Sequence, residues 1–441
     1  MILRVILKNF LSFDDEVQFD MFPNLKRTQL SEHIYTDACD VPILKLAAIY
    51  GSNGAGKSNL VKALEFVRAF VCQKDFAKNI ELQKFFYLLK EDAGKQPICI
   101  SIEFEHHQRC FFYEIEIGQQ YVVRETLSET FPKEERMELV FDRRKDKIEY
   151  ASGVSVDAAI QEATQILLSK NPLSSLLSLN NEFPIVQDDR CMIASTWFSS
   201  QLEIIGVHSF MPALIDMLRT NKRMMEFAKK LVFGLEVGIN DFNLVESEFD
   251  TWAQSHIDLA NQLPNNMDQL KSLSLNANNM PVLSISIEDG VRKVYQLIFD
   301  NIGKNGFVGK LDTSSQSDGT LRALTLLPAL YFASKLGKTV VVDEINYCLS
   351  PTMVKGIVEF FAKTKGTNGQ LIFTTHDTQL LDEKDVLRSD EIWFVDKREG
   401  ASILYSHNDF KEHRTISTLR GYNEGRYGAI RFVNLLQNYA N

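Results

Sequence analysis

The run Gly51-Ser52-Asn53-Gly54-Ala55-Gly56-Lys57-Ser58 sets glycine, lysine and serine at G-x-x-x-x-G-K-S spacing, which lets a backbone wrap a chain of phosphates. Glycines allow successive N–H groups to point inward at anionic oxygens, and a helix opening at Lys57 turns its positive end toward the same anion. In that geometry Lys57 reaches the β- and γ-phosphates, Ser58 holds Mg²⁺, and Asn53, Gly54, Ala55, Gly56 and Asn59 line the cradle. The apolar run 44–50 predicts a buried strand before the loop, and 59–66 predicts a helix after it. A chance glycine-rich turn is the competing reading, and both flanks speak against it.

Other segments carry groups that such a phosphate site needs. Lys338-Thr339-Val340-Val341-Val342-Asp343-Glu344 predicts a short β-branched strand ending in two carboxylates. Asp343 at that end would orient a metal's waters, and Glu344 would polarise an attacking water. Gln370-Leu371-Ile372-Phe373-Thr374-Thr375 predicts another strand, which delivers His376 to the edge where ligands sit in an open α/β sheet. A lone histidine after a strand is more often structural. Its place about 30 residues beyond the acidic pair favours a part in the site. Gln316-Ser317-Asp318-Gly319-Thr320 opens an apolar helix, with Ser317 as an N-cap and Gly319 allowing close backbone approach.

In order, a phosphate loop, a long insertion, a Ser-x-Gly helix start, Val-Val-Val-Asp-Glu and Thr-Thr-His resemble the ABC-type ATPases. The likeness is to the branch with the RecF and SMC proteins and the "overcoming lysogenization defect" ATPases. Ser317-Asp318-Gly319-Thr320 resembles their signature motif, Asn346-Tyr347-Cys348-Leu349-Ser350-Pro351 their D-loop, and His376 their switch histidine. The opening Leu3 to Phe13, with Asn9-Phe10-Leu11-Ser12, is similar to their first strand and turn. Arg388-Ser389-Asp390-Glu391-Ile392-Trp393 and Gly425-Arg426-Tyr427-Gly428-Ala429-Ile430 resemble the tail of compact ATPases from abortive-infection and PARIS-type antiphage systems.

The resemblance covers residues 1 to about 130 and 290–441. Gln316 stands where the family often has a glutamate, and Gln96, a metal and nucleotide contact by analogy with the family's Q-loop, is fixed by no motif. The resemblance implies an α/β fold: an ABC-type P-loop ATPase head, with a mixed sheet, flanking helices, an antiparallel β-subdomain and a helical insertion. It implies catalytic roles for Lys57, Glu344 and His376, and ATP and Mg²⁺ as cofactors. It further implies a homodimer or higher oligomer in which Ser317 and Gly319 of one subunit cover the ATP of another. An antiphage sensor or scaffold, holding a separate effector such as a nuclease, follows from the same likeness. A RecF-like DNA-repair ATPase and a nucleotide-ordered interaction scaffold are the alternatives.

The elements that must position these groups fall into three zones. Residues 1–150 hold the phosphate loop and then strands that read as an antiparallel sheet. Residues 151–280 read as helical, with 158–168, 195–205 and 214–231 the best segments, and 281–441 return to α/β alternation. Pro172, Pro184, Pro212, Pro264 and Pro281 break the middle zone into short helices, which excludes a long coiled-coil arm. Such an insertion would serve oligomer contacts or partner docking, or bury only its own core.

At 441 residues and 45% hydrophobic content, the chain can fill one large or two ordinary cores. No apolar run approaches the roughly 20 residues that cross a bilayer, and no leader is evident, so a cytoplasmic, membrane-free protein is expected. The six cysteines lack metal spacing and read as reduced thiols, mostly core filler. A net charge of −10 argues against a general nucleic-acid coat. Two basic clusters, Arg143-Arg144-Lys145 with Lys147, and Arg219 through Lys230 with Lys222, Arg223, Lys229 and Lys230, are either contact surfaces or solvated faces.

Overall fold

A computed structural model describes residues 1–36, 39, 41–154, 156–207, 214–235, 238–261, 263, 272–277, 280–410 and 417–430. Pro212 and Pro264 lie outside the described residues. The chain divides into two compact units: Met1–Ile204 with Leu336–Ile345 and Val358–Asn441, and Ile205–Lys335 with Asn346–Ile357.

The first unit contains two large sheets and a two-stranded pair, Ile34–Tyr35 with Ile43–Leu44. One is parallel at its centre, in the order Leu202–Ile205, Thr339–Val342, Gln370–Thr375, Leu46–Tyr50, Ile392–Arg398, Ala401–Ser406, with only the last described pairing antiparallel. Leu46–Tyr50 lies between Gln370–Thr375 and Ile392–Arg398, so Ala48 pairs with Phe373 on one side and Ile392 on the other. All five of its residues are buried, as befits a central parallel strand covered on both faces. The other sheet has seven antiparallel strands and starts from the hairpin of Ile2–Lys8 with Val17–Asp20. The helix Lys57–Cys72 buries Leu60, Val61, Leu64, Phe66, Val67, Phe70 and Val71. These share one core with Ile100 and Phe104 of the antiparallel sheet and Ile49, Ile372 and Val395 of the parallel one. At about 1.5–3 kcal/mol for each fully buried large side chain, that helix is anchored from both sides.

A single amide ties the two sheets together. Gln370 is fully buried; its Oε1 accepts the Ile2 N–H (2.8 Å) and its Nε2 donates to the Ile2 carbonyl (2.9 Å) and the Leu44 carbonyl (3.0 Å). Ile2 thus bonds through both backbone groups to one side chain, 368 residues away in sequence.

The second unit is built on an antiparallel sheet. Val291–Ile302 pairs along one side with Ile239–Glu248, and along the other with Met280–Glu288 and Val308–Asp312; Ser272–Ala277 adds to Met280–Glu288. Trp252, Leu283, Ile285 and Val294 form a core there.

The expected helical zone 151–280 is therefore not a single helical unit. Ala158–Lys170, Leu176–Glu182 and Asp189–Thr196 are helices, but Leu168, Leu176, Leu177 and Cys191 join the core of the first unit. The helix expected over 195–205 ends at Thr196; after a π-turn, Leu202–Ile205 becomes an edge strand of the parallel sheet. Trp197 fixes that break by stacking on Phe104, with ring centroids 4.3 Å apart. Ile239–Glu248 buries only Ile239 and Phe242, so its strand character comes from pairing with Val291–Ile302 rather than from an apolar pattern.

Two smaller expectations also change. Arg143 is not part of a surface cluster: it is fully buried and paired with the equally buried Glu125 (3.0 Å). Of the cysteines, none of them in a disulfide, Cys110 and Cys191 are buried, but Cys72 and Cys348 are exposed and fill no core.

Candidate functional site: a phosphate cleft at the ends of three parallel strands

Leu46–Tyr50, Thr339–Val342 and Gln370–Thr375 run parallel as neighbours, so all three release their chains at the same edge. The first continues into Gly51, the second into Asp343 and Glu344, the third into His376. Asn53, Gly54, Gly56, Lys57, Ser58, Asn59, Glu344 and His376 line one cleft there.

The loop is shaped by room as much as by torsion. Gly54 and Gly56 have φ of 76° and 119°, which suit glycine. Gly51 has no such angle, but a Cβ there would stand 2.4 Å from the Val395 carbonyl oxygen, so the first glycine is needed for close approach to the next strand. Lys57 is 5% exposed, and its ammonium donates to the Gly51 carbonyl (2.8 Å) and the Ser52 carbonyl (3.4 Å), crossing back over the loop. Burial pushes the Lys57 pKa down, with Glu344 and Asp343 opposing the shift.

A hydroxyl brace supports the loop from beneath. Ser402 Oγ donates to the Ala55 carbonyl and accepts from Ser12 Oγ (2.7 Å), which in turn accepts from Asn59 Nδ2 (2.7 Å). The side-chain amide of Asn59 is thus engaged with the brace. Sequence reasoning missed both serines as site residues: Ser12 sits in the opening motif, read there only as a strand and turn, and Ser402 carries no motif.

Asp343 is 6% exposed and accepts the Thr374 hydroxyl at 2.6 Å. Glu344 has a left-handed backbone, φ 46°, held by its N–H on the same Thr374 oxygen (2.7 Å). His376 is exposed at the mouth of the cleft, and the turn behind it is set by the Asp377 N–H bonding Thr375 Oγ1 (3.0 Å).

The remaining expected contacts lie outside this cleft's lining. Gln96 is exposed at the turn before Ile98–His106; its carbonyl accepts from Asn9 Nδ2 (2.8 Å). Ser317 and Gly319 belong to the second unit. Ser317 Oγ accepts the Thr320 N–H (3.3 Å), capping Asp318–Leu336, and stays exposed. A Cβ on Gly319 would meet the Cys348 carbonyl at 3.0 Å, so the close approach made there is to 346–351 of the same unit.

The donor set fits a phosphate chain: two left-handed glycines, an ammonium and the open start of a helix converge on one cleft. Among the described residues no cluster of three or more His, Cys, Asp or Glu could cage a metal. A hydroxyl and one carboxylate, completed by phosphate oxygens and water, suit Mg²⁺. Ser58 and Asp343 are the residues that would hold it.

A family model described as "AAA domain, putative AbiEii toxin, Type IV TA system" matches residues 46–195 and 226–382, more than half of the chain. Among solved structures, an SMC head bound to the C-winged helix domain of ScpA is similar at 15% identity and a TM-score of 0.45, covering 92% of this chain and 97% of that one. The SMC head domain from Thermotoga maritima is similar at 12% identity and a TM-score of 0.39, covering 92% and 98%. An SMC head with an extended coiled coil, bound to the C-terminal domain of ScpA derived from Pyrococcus furiosus, is similar at 12% identity and 0.38, covering 97% and 98%. No curated protein sequence matches the chain. Among the described residues no helix is long and apolar enough to cross a membrane.

Proposed function

The chain belongs to this AAA-domain family, and we propose that it binds and hydrolyses ATP with Mg²⁺, using the cycle to hold and release a separate effector in an antiphage complex. The observation that carries the ATPase reading is the convergence of Lys57, Ser58, Glu344 and His376 on one cleft. Lys57 and the loop amides orient the phosphates. Ser58 and Asp343 would hold Mg²⁺, which would supply charge neutralisation to the phosphates. Glu344 polarises the attacking water, and His376 holds the γ-phosphate side of the cleft. The signature-like Ser317 and Gly319 serve a neighbouring subunit's nucleotide, so ATP joins subunits and hydrolysis parts them. Gln96, outside the lining of this cleft, is the remaining proposed contact to nucleotide and metal.

The reactive constellation recognised among the described residues is the ATPase cleft, which supports a separate polypeptide as the effector. An acidic balance of −10 and the burial of Arg143 in one of the two basic clusters disfavour direct DNA binding. The chemistry is tested by Glu344→Gln, which should keep nucleotide bound while nearly stopping turnover; wild-type turnover in that variant would remove Glu344 from its role. The biology is tested by plaque counts with the chain alone, with its neighbouring gene's product, and with the pair carrying Lys57→Ala. Protection by the pair only, lost with Lys57→Ala, is expected. Toxicity or protection from the chain alone would overturn the sensor reading.

A further inference from the structure

We propose that Thr374 is a positioning residue for hydrolysis, one hydroxyl fixing the metal-side carboxylate and the main chain of the water-polarising glutamate together. The inference rests on the ATPase reading above. Val342 pairs with Phe373, so Thr374 lies opposite the point where the neighbouring chain leaves its strand. Thr374 is fully buried there.

Its hydroxyl has one proton and two lone pairs. The proton goes to Asp343 Oδ1 (2.6 Å) and a lone pair takes the Glu344 N–H (2.7 Å), while the Thr374 carbonyl takes the Ile345 N–H (3.1 Å). Three consecutive residues are thus tied to one. The bond to Oδ1 fixes the carboxylate's rotation and leaves Oδ2 as the oxygen turned to other partners. Glu344 needs its bond for a different reason. A φ of 46° is uncommon for a residue with a Cβ, and such conformations persist only where neighbours over-determine them. Two residues beyond Thr374, the same strand delivers His376 into the cleft that Glu344 lines. A shift of the strand end that carries His376 is therefore passed to Glu344 through this hydroxyl.

Thr374→Val keeps the volume and the branching while removing the hydroxyl; Thr374→Ser keeps the hydroxyl and removes a methyl group. Turnover and the Mg²⁺ concentration for half-maximal retention of labelled ATP are measured for both, with nucleotide binding in EDTA as the reference. Thr374→Val should lower turnover and raise the Mg²⁺ midpoint, each by about ten- to a hundredfold, the usual effect of losing a hydrogen-bond partner behind a metal ligand. Binding in EDTA should stay at the wild-type level, and Thr374→Ser should restore most of both quantities.

Wild-type turnover and Mg²⁺ midpoint in Thr374→Val would overturn the proposal. So would a Thr374→Ser variant as impaired as Thr374→Val, since that would assign the effect to packing. If Thr374→Val does not fold, Thr374→Cys, with its weaker donor, replaces it under the same expectations. A wild-type chain that retains Mg²⁺-ATP without turnover would refute hydrolysis itself, and the Mg²⁺ midpoint would then decide on Thr374 alone.

Discussion

Arg143 and Arg144 are adjacent, identical in type and embedded in the same basic run, yet their substitution should have opposite consequences. Arg144 has a side chain 71% exposed, beside Asp142 at 3.4 Å. Surface pairs of that kind contribute about 0–1 kcal/mol, so Arg144→Ala should be close to neutral. Arg143 is fully buried. Its guanidinium bonds Glu125 Oε2 (3.0 Å) and the carbonyls of Lys145, Ser174 and Pro172. Burial pushes its pKa down, and Glu125 is the main opposing influence. Glu125 in turn accepts the Tyr113 hydroxyl, the Ser175 hydroxyl and the N–H of Leu176, at the start of Leu176–Glu182. Removing Arg143 leaves a buried carboxylate without its counter-charge and takes the guanidinium donor from the Lys145 and Ser174 carbonyls, while the Pro172 carbonyl keeps the Val122 N–H; the loss costs about 3–5 kcal/mol. A protein of two units has no single unfolding free energy, so the assay is hydrogen exchange resolved by peptide. Exchange over 172–182 should accelerate at least about a hundredfold in Arg143→Ala, the equivalent of roughly 3 kcal/mol. It should be unchanged in Arg144→Ala. The double variant Arg143→Met with Glu125→Leu should lose less than the two single losses added, because no charge is left unpaired. Unchanged exchange in Arg143→Ala, accompanied by loss of DNA binding, would refute this reasoning and return the cluster to the surface.

The cleft and the tail region give three further expectations. Gly51→Ala places a Cβ 2.4 Å from the Val395 carbonyl and should cost about 1–3 kcal/mol of local stability, read as faster hydrogen exchange over 46–50, whereas Gly54→Ala has open space and only the strain of φ 76°, about 1–2 kcal/mol; wild-type exchange over 46–50 in Gly51→Ala would sink the close-approach argument. His407 is buried, and its pKa is pushed down to about 4 by burial, with Arg27 adding to the shift. The folded-state value thus lies below the ordinary 6.5, so the unfolded chain takes the proton first and stability is lost as pH falls from 6.5 toward 4. At pH 5 this one group costs about 2 kcal/mol, and His407→Gln should reduce the loss measured between pH 7 and pH 5 by that amount. Finally, Lys57→Ala and Ser317→Arg, each inactive alone, should regain some turnover when mixed if the signature-like segment serves a neighbour's ATP; no recovery in oligomers shown to be mixed would refute shared sites.

How much of this was legible depended on which way a residue faces. Residues that meet a phosphate or a water must be of particular types at particular strand ends, so Gly51 to Ser58, Asp343-Glu344 and His376 stood out as motifs. The parallel pairing that gathers them followed from short β-branched runs such as Thr339–Val342. The residues that hold these groups in place were silent. Ser12, Ser402 and Thr374 act through a hydroxyl that many positions in the chain could offer, and Ser12 and Ser402, which bond each other, are separated by 390 residues. Gln370 is silent for the same reason: only the fold shows that its amide reads both backbone groups of Ile2.

The errors have the opposite cause, since local pattern was trusted where long-range pairing decides. Arg143-Arg144-Lys145 looks basic and therefore exposed, but in an antiparallel strand successive side chains face opposite ways. Arg143 points into the core and Arg144 into water, and the strand Arg136–Arg144 carries both. Ile239–Glu248 has too few apolar positions to announce a strand and acquires one from its nine-pair register with Val291–Ile302. The candidate catalytic groups are thus written in the chain one motif at a time, whereas the precision with which they are held depends on contacts between distant residues. Variants of the silent hydroxyls therefore test the mechanism more sharply than further substitution of Lys57 or Glu344: they leave every motif intact and alter only geometry.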